Sequence, residues 1–437
     1  MKTTSHPVVI EQLGRAVLVS LIWQKFKHDE FRTQYSLLEL IQLAETAGVE
    51  VLETMTQSKD KADSKWFMGK GKVQELKLRL EELEANVAIF DQELSGSQVR
   101  NLEAALDVKI IDRTQLILDI FAQRAKTREG ITQVELAQLK YLLPRLSGQG
   151  KNLSRLGAGI GSRGPGETKL ETDRRHIRDR IDELSTQLEE VVKHRNLHRE
   201  HRKKSGIFQV ALVGYTNAGK STYLRQLTQA DVLVENKLFA TLDPTSRIVR
   251  LPGGKQIILT DTVGFIQNLP HDVVASFRAT LEEVNQADLI LHIVDSSSPM
   301  YREQIRTVNQ VLAELGANQK EQVIIFNKID LCEAQEVELL SADVACLKLS
   351  AYVETDLQQL LLMLENKLMN VSTTFRIPME KGDLHALVYR IGDVIHTLNE
   401  ENELIFQVRV NQQDYEKWGN ALKSYEVDTN LVEEREE

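Results

Sequence analysis

Ile207-Phe-Gln-Val-Ala-Leu-Val-Gly-Tyr-Thr-Asn-Ala-Gly-Lys-Ser221 is an apolar run that halts at a glycine and passes through small and polar residues into Lys220 and Ser221. The run has the length of a buried strand, and the residues from Lys220 onward suit a helix, so the stretch reads as strand, tight loop and helix N-terminus. That is the form of a phosphate loop. Gly214 and Gly219 let the backbone curl around phosphates, and the amides of Tyr215, Thr216, Asn217 and Ala218 join the helix start as donors. Lys220 sets a point charge on the β and γ oxygens, and the Ser221 hydroxyl, with Thr222 beside it, reaches Mg2+. The expected setting is an α/β domain, a mostly parallel sheet with helices on both faces.

Four further segments follow in order. Phe239, Ala240, Thr241, Leu242 and Asp243 lie between the loop's helix and the next apolar strand. The Thr241 hydroxyl is the expected second protein ligand of Mg2+, which makes this loop a first switch, with Thr245 as the alternative. Asp261 ends the strand Gln256-Ile-Ile-Leu-Thr260, where its carboxylate would hold a metal-bound water; Thr262 and Val263 lead on to Gly264, whose amide can meet a γ-phosphate. The segment after Gly264 is expected to order with the third phosphate and relax when it is lost.

Asn327, Lys328, Ile329 and Asp330 close the strand Gln322-Val-Ile-Ile-Phe326. A carboxylate at Asp330 accepts from both the ring N–H and the exocyclic amine of guanine, a pair that adenine lacks, so GTP and GDP are preferred over ATP. Ser350, Ala351 and Tyr352 come after Val344-Ala-Cys-Leu-Lys-Leu349 and are expected to bring a backbone amide to the guanine carbonyl. Lys220, Thr241 and Gly264 are then the groups closest to phosphate hydrolysis. Phe265 stands where many regulatory GTPases place a glutamine that orients the attacking water; a phenyl ring cannot do this, and the isolated protein is expected to hydrolyse slowly.

The chain of 437 residues is long enough for two or three domains with real cores. No apolar segment reaches the length of a membrane span and no signal core follows the start, so a cytoplasmic protein is expected, a monomer. Two cysteines, Cys332 and Cys346, are too few and too poorly spaced for a zinc site or a disulfide framework. The net charge of −10 speaks against indiscriminate nucleic-acid binding, yet Ala122 to Arg178 holds twelve Lys and Arg against five Asp and Glu. A basic belt in an acidic chain suits docking on RNA, and equally a well-solvated helical surface.

Four units are expected. Residues 1–130 alternate apolar runs (Ala16 to Ile22, Val49 to Leu52, Val87 to Phe90, Val108 to Ile111) with amphipathic stretches, a small parallel α/β domain in which Gly69-Lys-Gly71-Lys72 reads as a basic turn. Residues 131–205 read as a helical hairpin arm, helical from Thr132 to about Leu143 and again from Glu167 to about Lys204, around a Gly-rich tip. The letters Gly159-Ile-Gly161-Ser-Arg-Gly164 match a dinucleotide fingerprint but follow no strand, so they read with Lys151, Arg155 and Arg163 as a loop that moulds itself to RNA. The nucleotide domain spans 206–370. Residues 371–437 form a small α+β unit with strands at Thr374 to Ile377 and Leu404 to Val410, and helices at Leu384 to Ile395 and around Trp418.

The series Gly157-Ala-Gly-Ile-Gly-Ser-Arg-Gly-Pro-Gly-Glu-Thr-Lys-Leu-Glu-Thr-Asp-Arg-Arg175, the phosphate loop through Thr222, Phe239 to Thr245, and Asp261-Thr-Val-Gly-Phe-Ile266 with Leu269-Pro270 resembles the HflX family of ribosome-associated GTPases. The resemblance runs over about residues 15–370, and the last 66 or so carry little of it. It implies Mg2+, association with the large (50S) ribosomal subunit and its RNA, and a role in splitting or rescuing ribosomes, or in protein synthesis under stress. Arg174 and Arg175 join the loop cations as expected RNA contacts. Asn217 resembles the asparagine that in related GTPases helps hold K+ against the phosphates, which adds it to the catalytic group. Two other readings stay open: a nucleotide-switched RNA-binding or remodelling protein, and a GTPase of ribosome assembly.

Overall fold

The computed structural model describes residues 14–23, 29–146, 165–204, 207–228, 238–267, 283–368, 371–400, 402–410, 415 and 419–427. The first unit is a parallel sheet of β1 (Arg15–Trp23), β2 (Glu50–Lys59), β3 (Val87–Phe90) and β4 (Lys109–Asp112) in the order β2-β1-β3-β4. Along β1 the side chains alternate between two cores. Ala16 and Leu18 pack towards α1 (Asp29–Thr46) and α4 (Arg113–Arg124), while Val17, Val19 and Leu21 pack towards α2 (Lys70–Glu82) and α3 (Gly96–Leu106). Burial on both faces is why β1 and β3 read as continuous apolar runs, whereas β2, at the edge, is mostly half-buried or exposed. The helices begin where side chains satisfy free amides: Ser95 and Gln98 form a capping box on α3, and Asp112 caps α4.

Two local expectations need correction. Gly69 is the N-cap of α2, and Lys70 to Lys72 form its first turn, because Val73, Leu76 and Leu80 carry a helical apolar stripe back to that point. The first arm helix, α5 (Arg128–Leu142), starts four residues before Thr132, since the Thr127 hydroxyl accepts from Gly130 N at 3.0 Å. Its Val134, Ala137 and Tyr141 belong to the core of the first unit. The second arm helix, α6 (Pro165–Lys204), packs on α5, with Leu184 buried and Arg180 forming a two-pronged pair with Glu135 at 2.8 and 3.0 Å.

The second sheet has the order β10-β9-β8-β5-β7-β6 and contains β5 (Phe208–Gly214), β6 (Thr245–Arg250), β7 (Gln256–Asp261), β8 (Leu289–Asp295), β9 (Glu321–Asn327) and β10 (Cys346–Lys348). Every pair is parallel except β6 on β7. Val210 and Leu212 of β5 face one core and Ala211 and Val213 the other, so helices cover both faces. The last unit is an antiparallel sheet, order β12-β13-β11-β14, of β11 (Val371–Pro378), β12 (Gly392–Glu400), β13 (Glu403–Val410) and β14 (Glu426–Val427), with the helix Gly382–Ile391 on its apolar face. The helix expected to run to Ile395 ends at Ile391. From Gly392 the backbone is extended and pairs with β13, starting from Gly392 opposite Val410. Trp418 lies outside the described residues, and short 3-10 turns follow it at Gly419–Ala421 and Lys423–Tyr425.

Candidate functional site

Strand β5 delivers the chain to Gly214 at the carboxyl edge of the second sheet, where loops gather at the change in strand order beside β8. Gly214 has φ +151° and a side chain there would strike the carbonyl of Ile293; Gly219 has φ +105° and a side chain would strike Asn327. Both glycines are required by close approach as well as by conformation. The loop then enters α7 (Lys220–Thr228), and a cavity opens between Thr216, Asn217, Gly219, Lys220, Ser221 and Thr222 on one side and Phe239, Ala240, Thr241, Thr262 and Gly264 on the other.

Lys220 is buried, its ammonium donating to the carbonyls of Tyr215 and Gly214 at 2.8 and 3.2 Å, and burial pulls its pKa down to about 8 against the opposing field of Asp261. Asp261 is fully buried and pushed upwards by desolvation, which Lys220 and the hydroxyls of Ser221 and Thr241 offset. Ser221 Oγ donates to Asp261 Oδ2 at 2.6 Å and Thr241 Oγ1 at 2.9 Å, and the two hydroxyls lie 2.9 Å apart. It is Thr241 that reaches this cluster; Thr245 opens β6 and pairs with Asp261 through the backbone.

These residues fit Mg2+. All the donors are oxygens, and neighbouring ligands of an octahedral ion bound at 2.0–2.1 Å stand about 2.9 Å apart, the separation of the Ser221 and Thr241 hydroxyls. The second oxygen of Asp261, Oδ1, is buried without a partner, as a carboxylate meant for a metal-bound water would be.

Asn327 does more than sequence reasoning assigned to it. Its amide nitrogen donates to Ala218 O at 2.7 Å and its oxygen accepts from Ala351 N at 3.1 Å, so one side chain ties the phosphate loop to the segment after β10. The amides of Ser350, Ala351 and Tyr352, expected to offer a donor to a guanine carbonyl, are engaged by Asp356, Asn327 and the Ser350 hydroxyl. Lys328 takes a left-handed backbone, φ 63°, and pairs with Asp295 at 2.6 Å; Ile329 is half-buried, and the Asp330 carboxylate stands exposed at the rim. Gly264 is hemmed in: a Cβ there would lie 2.8 Å from Thr216 Cα and 3.1 Å from Lys220 Nζ.

The wall of the site facing the first unit was not legible in the sequence. Tyr215, Leu238, Phe239, Leu242, Val263 and Ile266 all join the core of the α/β unit around α1, α4 and α5. Phe239, at φ 54°, meets Phe121 edge to face at 4.6 Å. Asp243 accepts from Thr127 N at 3.1 Å and from its hydroxyl at 2.5 Å, and from Lys126 N at 3.2 Å, so the loop carrying Thr241 holds the residue that caps α5. Tyr215 donates its hydroxyl to Glu39, which pairs with Arg113, and accepts from Gln267 N at 2.7 Å. Tyr35 of α1 contacts Ser298 at 3.3 Å and accepts from Gln304 at 2.7 Å.

Of the expected RNA contacts, Lys151, Arg155 and Arg163 lie outside the described residues. Arg175 is exposed on α6, and Arg174 is half-buried with its Nε unpartnered. Residues 268–282, which include most of the segment expected to respond to the third phosphate, are also outside them. No helix among the described residues is long and apolar enough to cross a membrane.

Three family models match in succession: GTP-binding GTPase N-terminal over 34–122, GTP-binding GTPase Middle Region over 124–202, and 50S ribosome-binding GTPase over 209–328. GTPase HflX of Alkalihalophilus pseudofirmus is 49% identical over 416 residues, covering 95% of this chain and 96% of the relative. GTPase HflX of Escherichia coli K12 is 41% identical over 409 residues, covering 92% and 95%. Among solved structures, a GTP-binding protein from Sulfolobus solfataricus in complex with GDP aligns at 23% identity and a TM-score of 0.43, over 81% of this chain and 98% of that one.

Proposed function

The chain belongs to the HflX family of GTPases, and from that premise we propose that it binds GTP with Mg2+, hydrolyses it to GDP and phosphate, and uses the cycle to attach to and leave the large ribosomal subunit, splitting or rescuing ribosomes under stress. The observation that carries the reading is the convergence on buried Asp261 of the Ser221 and Thr241 hydroxyls, two residues of a cavity also lined by Lys220, Thr216, Asn217, Gly219 and Gly264. Lys220 would hold β and γ oxygens, Asp330 the guanine edge, and Ser221, Thr241 and, through water, Asp261 the ion. Mg2+ would neutralise charge gathering on the phosphates.

Asn217, exposed and at φ 59°, would help hold a K+ ion against the phosphates. With Phe265 in place of a polar side chain, turnover by the protein alone is slow and rises on the ribosome. The amino-terminal unit to about residue 130 and the arm of 131–205, with Lys151, Arg155, Arg163, Arg174 and Arg175, supply the ribosomal RNA contacts, 206–370 the GTPase domain and 371–437 an appendage. The test is sedimentation of the purified protein with ribosomal subunits in GDP, GTP and a non-hydrolysable analogue. Co-sedimentation with the large subunit that depends on the third phosphate is expected, and attachment indifferent to nucleotide would favour the RNA-binding alternative.

A further inference from the structure

The hydroxyl of Thr216 has no duty in the fold. The residue's amide donates to Phe265 O at 2.8 Å, and Phe265 N donates to Gly214 O at 3.1 Å, so its backbone, and not its side chain, helps lace the phosphate loop to the segment after Asp261. The side chain is buried at 7% exposure, and among the described residues lining the cavity Thr216 Oγ1 is the buried side-chain polar atom with no partner. Ser221 and Thr241 are committed to Asp261, and Thr262 Oγ1 donates to Leu212 O at 2.7 Å. A buried hydroxyl without a hydrogen bond is destabilising unless something entering the cavity supplies one.

Its position narrows what that is. Thr216 Cγ2 lies 2.8 Å from where a Cβ on Gly264 would be, and Lys220 Nζ is 3.1 Å from the same point, so the side chain flanks the end of the cavity where a γ-phosphate would meet the Gly264 amide. The neighbouring side chain is unavailable: Phe265 is 2% exposed, packed with Ala211, Val213, Val284 and Ile290 on the far side of the sheet, and could enter the cavity only by emptying that core.

We propose that Thr216 Oγ1 positions the water that attacks the γ-phosphate, accepting one of its O–H bonds while donating its own proton to a phosphate oxygen. This rests on the GTPase reading above. The water oxygen bonds to the γ-phosphorus as the bond from that phosphorus to the β–γ bridging oxygen breaks. The bonding pair leaves with GDP, and the water's proton ends on the released phosphate. A threonine can occupy this place because the following glycine carries no side chain and Phe265 is turned away.

The experiment uses the full chain with Mg2+, with and without large ribosomal subunits, and compares T216V, which keeps the shape, with T216S, which keeps the hydroxyl. T216V is expected to lower kcat by at least about tenfold with the affinity for GDP within about twofold, to lose affinity for a non-hydrolysable analogue by clearly less than kcat falls, and to lose affinity for GDP with aluminium fluoride in proportion to kcat. T216S should stay within about threefold of the wild type. Wild-type kcat in T216V, equal losses in the two variants, or a loss of GDP affinity matching the loss of kcat would overturn the assignment. If the wild type neither binds nor hydrolyses GTP, the GTPase reading falls; if it hydrolyses and T216V keeps pace, only the role of Thr216 does.

Discussion

Replacing Arg113 by Met tests whether the seam between the first unit and the phosphate loop is held by charge. Arg113, Glu39 and Asp91 are 2%, 5% and 4% exposed. The guanidinium donates to Asp91 Oδ1 at 2.7 Å and to Glu39, Ser36 and Ser20 donate to Asp91 Oδ2 at 2.8 and 3.1 Å, and Tyr215 reaches the other oxygen of Glu39. Burial draws Arg113 down to about 10 and pushes Asp91 up, so water would solvate both ions better than this site does. Removing the cation leaves two buried carboxylates facing each other. Breaking a buried pair in this way costs about 3–5 kcal/mol, a large part of a domain's 5–15. The triple change R113M/E39Q/D91N removes every charge and should recover most of that loss.

Trp23 and Trp66 pack on the core of the first unit, and the third tryptophan, Trp418, falls far along the sequence from them, among its last twenty residues. Denaturant unfolding followed by fluorescence in a W418F background therefore reports this unit by itself, avoiding a single fit to a multidomain transition. A cost below about 1 kcal/mol for R113M, or a triple variant no more stable than R113M, would refute the argument.

Three further outcomes follow from the geometry. Asp119 is 7% exposed with Oδ2 unpartnered, and burial pushes it up to about 6 from an ordinary 3.8; its stabilising contribution is complete below 3.8 and is lost as pH rises through 6. Asp119→Asn should remove that loss, so unfolding curves from pH 4 to 7 should show the wild type falling relative to the variant by on the order of 3 kcal/mol, and parallel curves would count against it. Gly264→Ala drives a methyl against Thr216 Cα and Lys220 Nζ; affinity for a GTP analogue should fall at least about tenfold with GDP affinity within about threefold, and equal losses by calorimetry would refute the placement of Gly264 at the third phosphate. Asp330→Asn should weaken GTP binding by about 100-fold and favour xanthosine triphosphate, an assignment that retained GTP affinity would sink.

The parts of the site that could be read from the chain are those whose chemistry is local. Strands β5, β7 and β9 are apolar runs ending on Gly214, Asp261 and Asn327, so strand and functional residue announce each other. Strand β6 is an antiparallel edge written Thr245-Ser-Arg-Ile-Val-Arg250 and largely exposed, with no apolar run to mark it. At Gly392 the apolar spacing of a helix continues into Val394 and Ile395 although the backbone has already become a strand, because pairing with β13 outweighs local pattern. Tyr215 and Glu39 are 176 residues apart, and Asp243 and Thr127 are 116; no spacing rule spans such distances. The Asn327 tie to Ala351 was hidden for a related reason, since its motif position suggests ligand contact while its geometry shows an internal brace.

The meeting of Phe239 with Phe121 has a mechanical corollary. Leu238, Phe239 and Leu242 are each less than 5% exposed, and much of what shields them is the first unit rather than their own domain. Withdrawing the loop would return three large side chains to water at roughly 1.5–3 kcal/mol apiece and would strip Thr127 of the carboxylate that steadies it. Thr241 therefore does not sit on a free flap: its excursions are geared to a parting of two bodies, and anything that wedges or clasps that seam sets the threshold for its release.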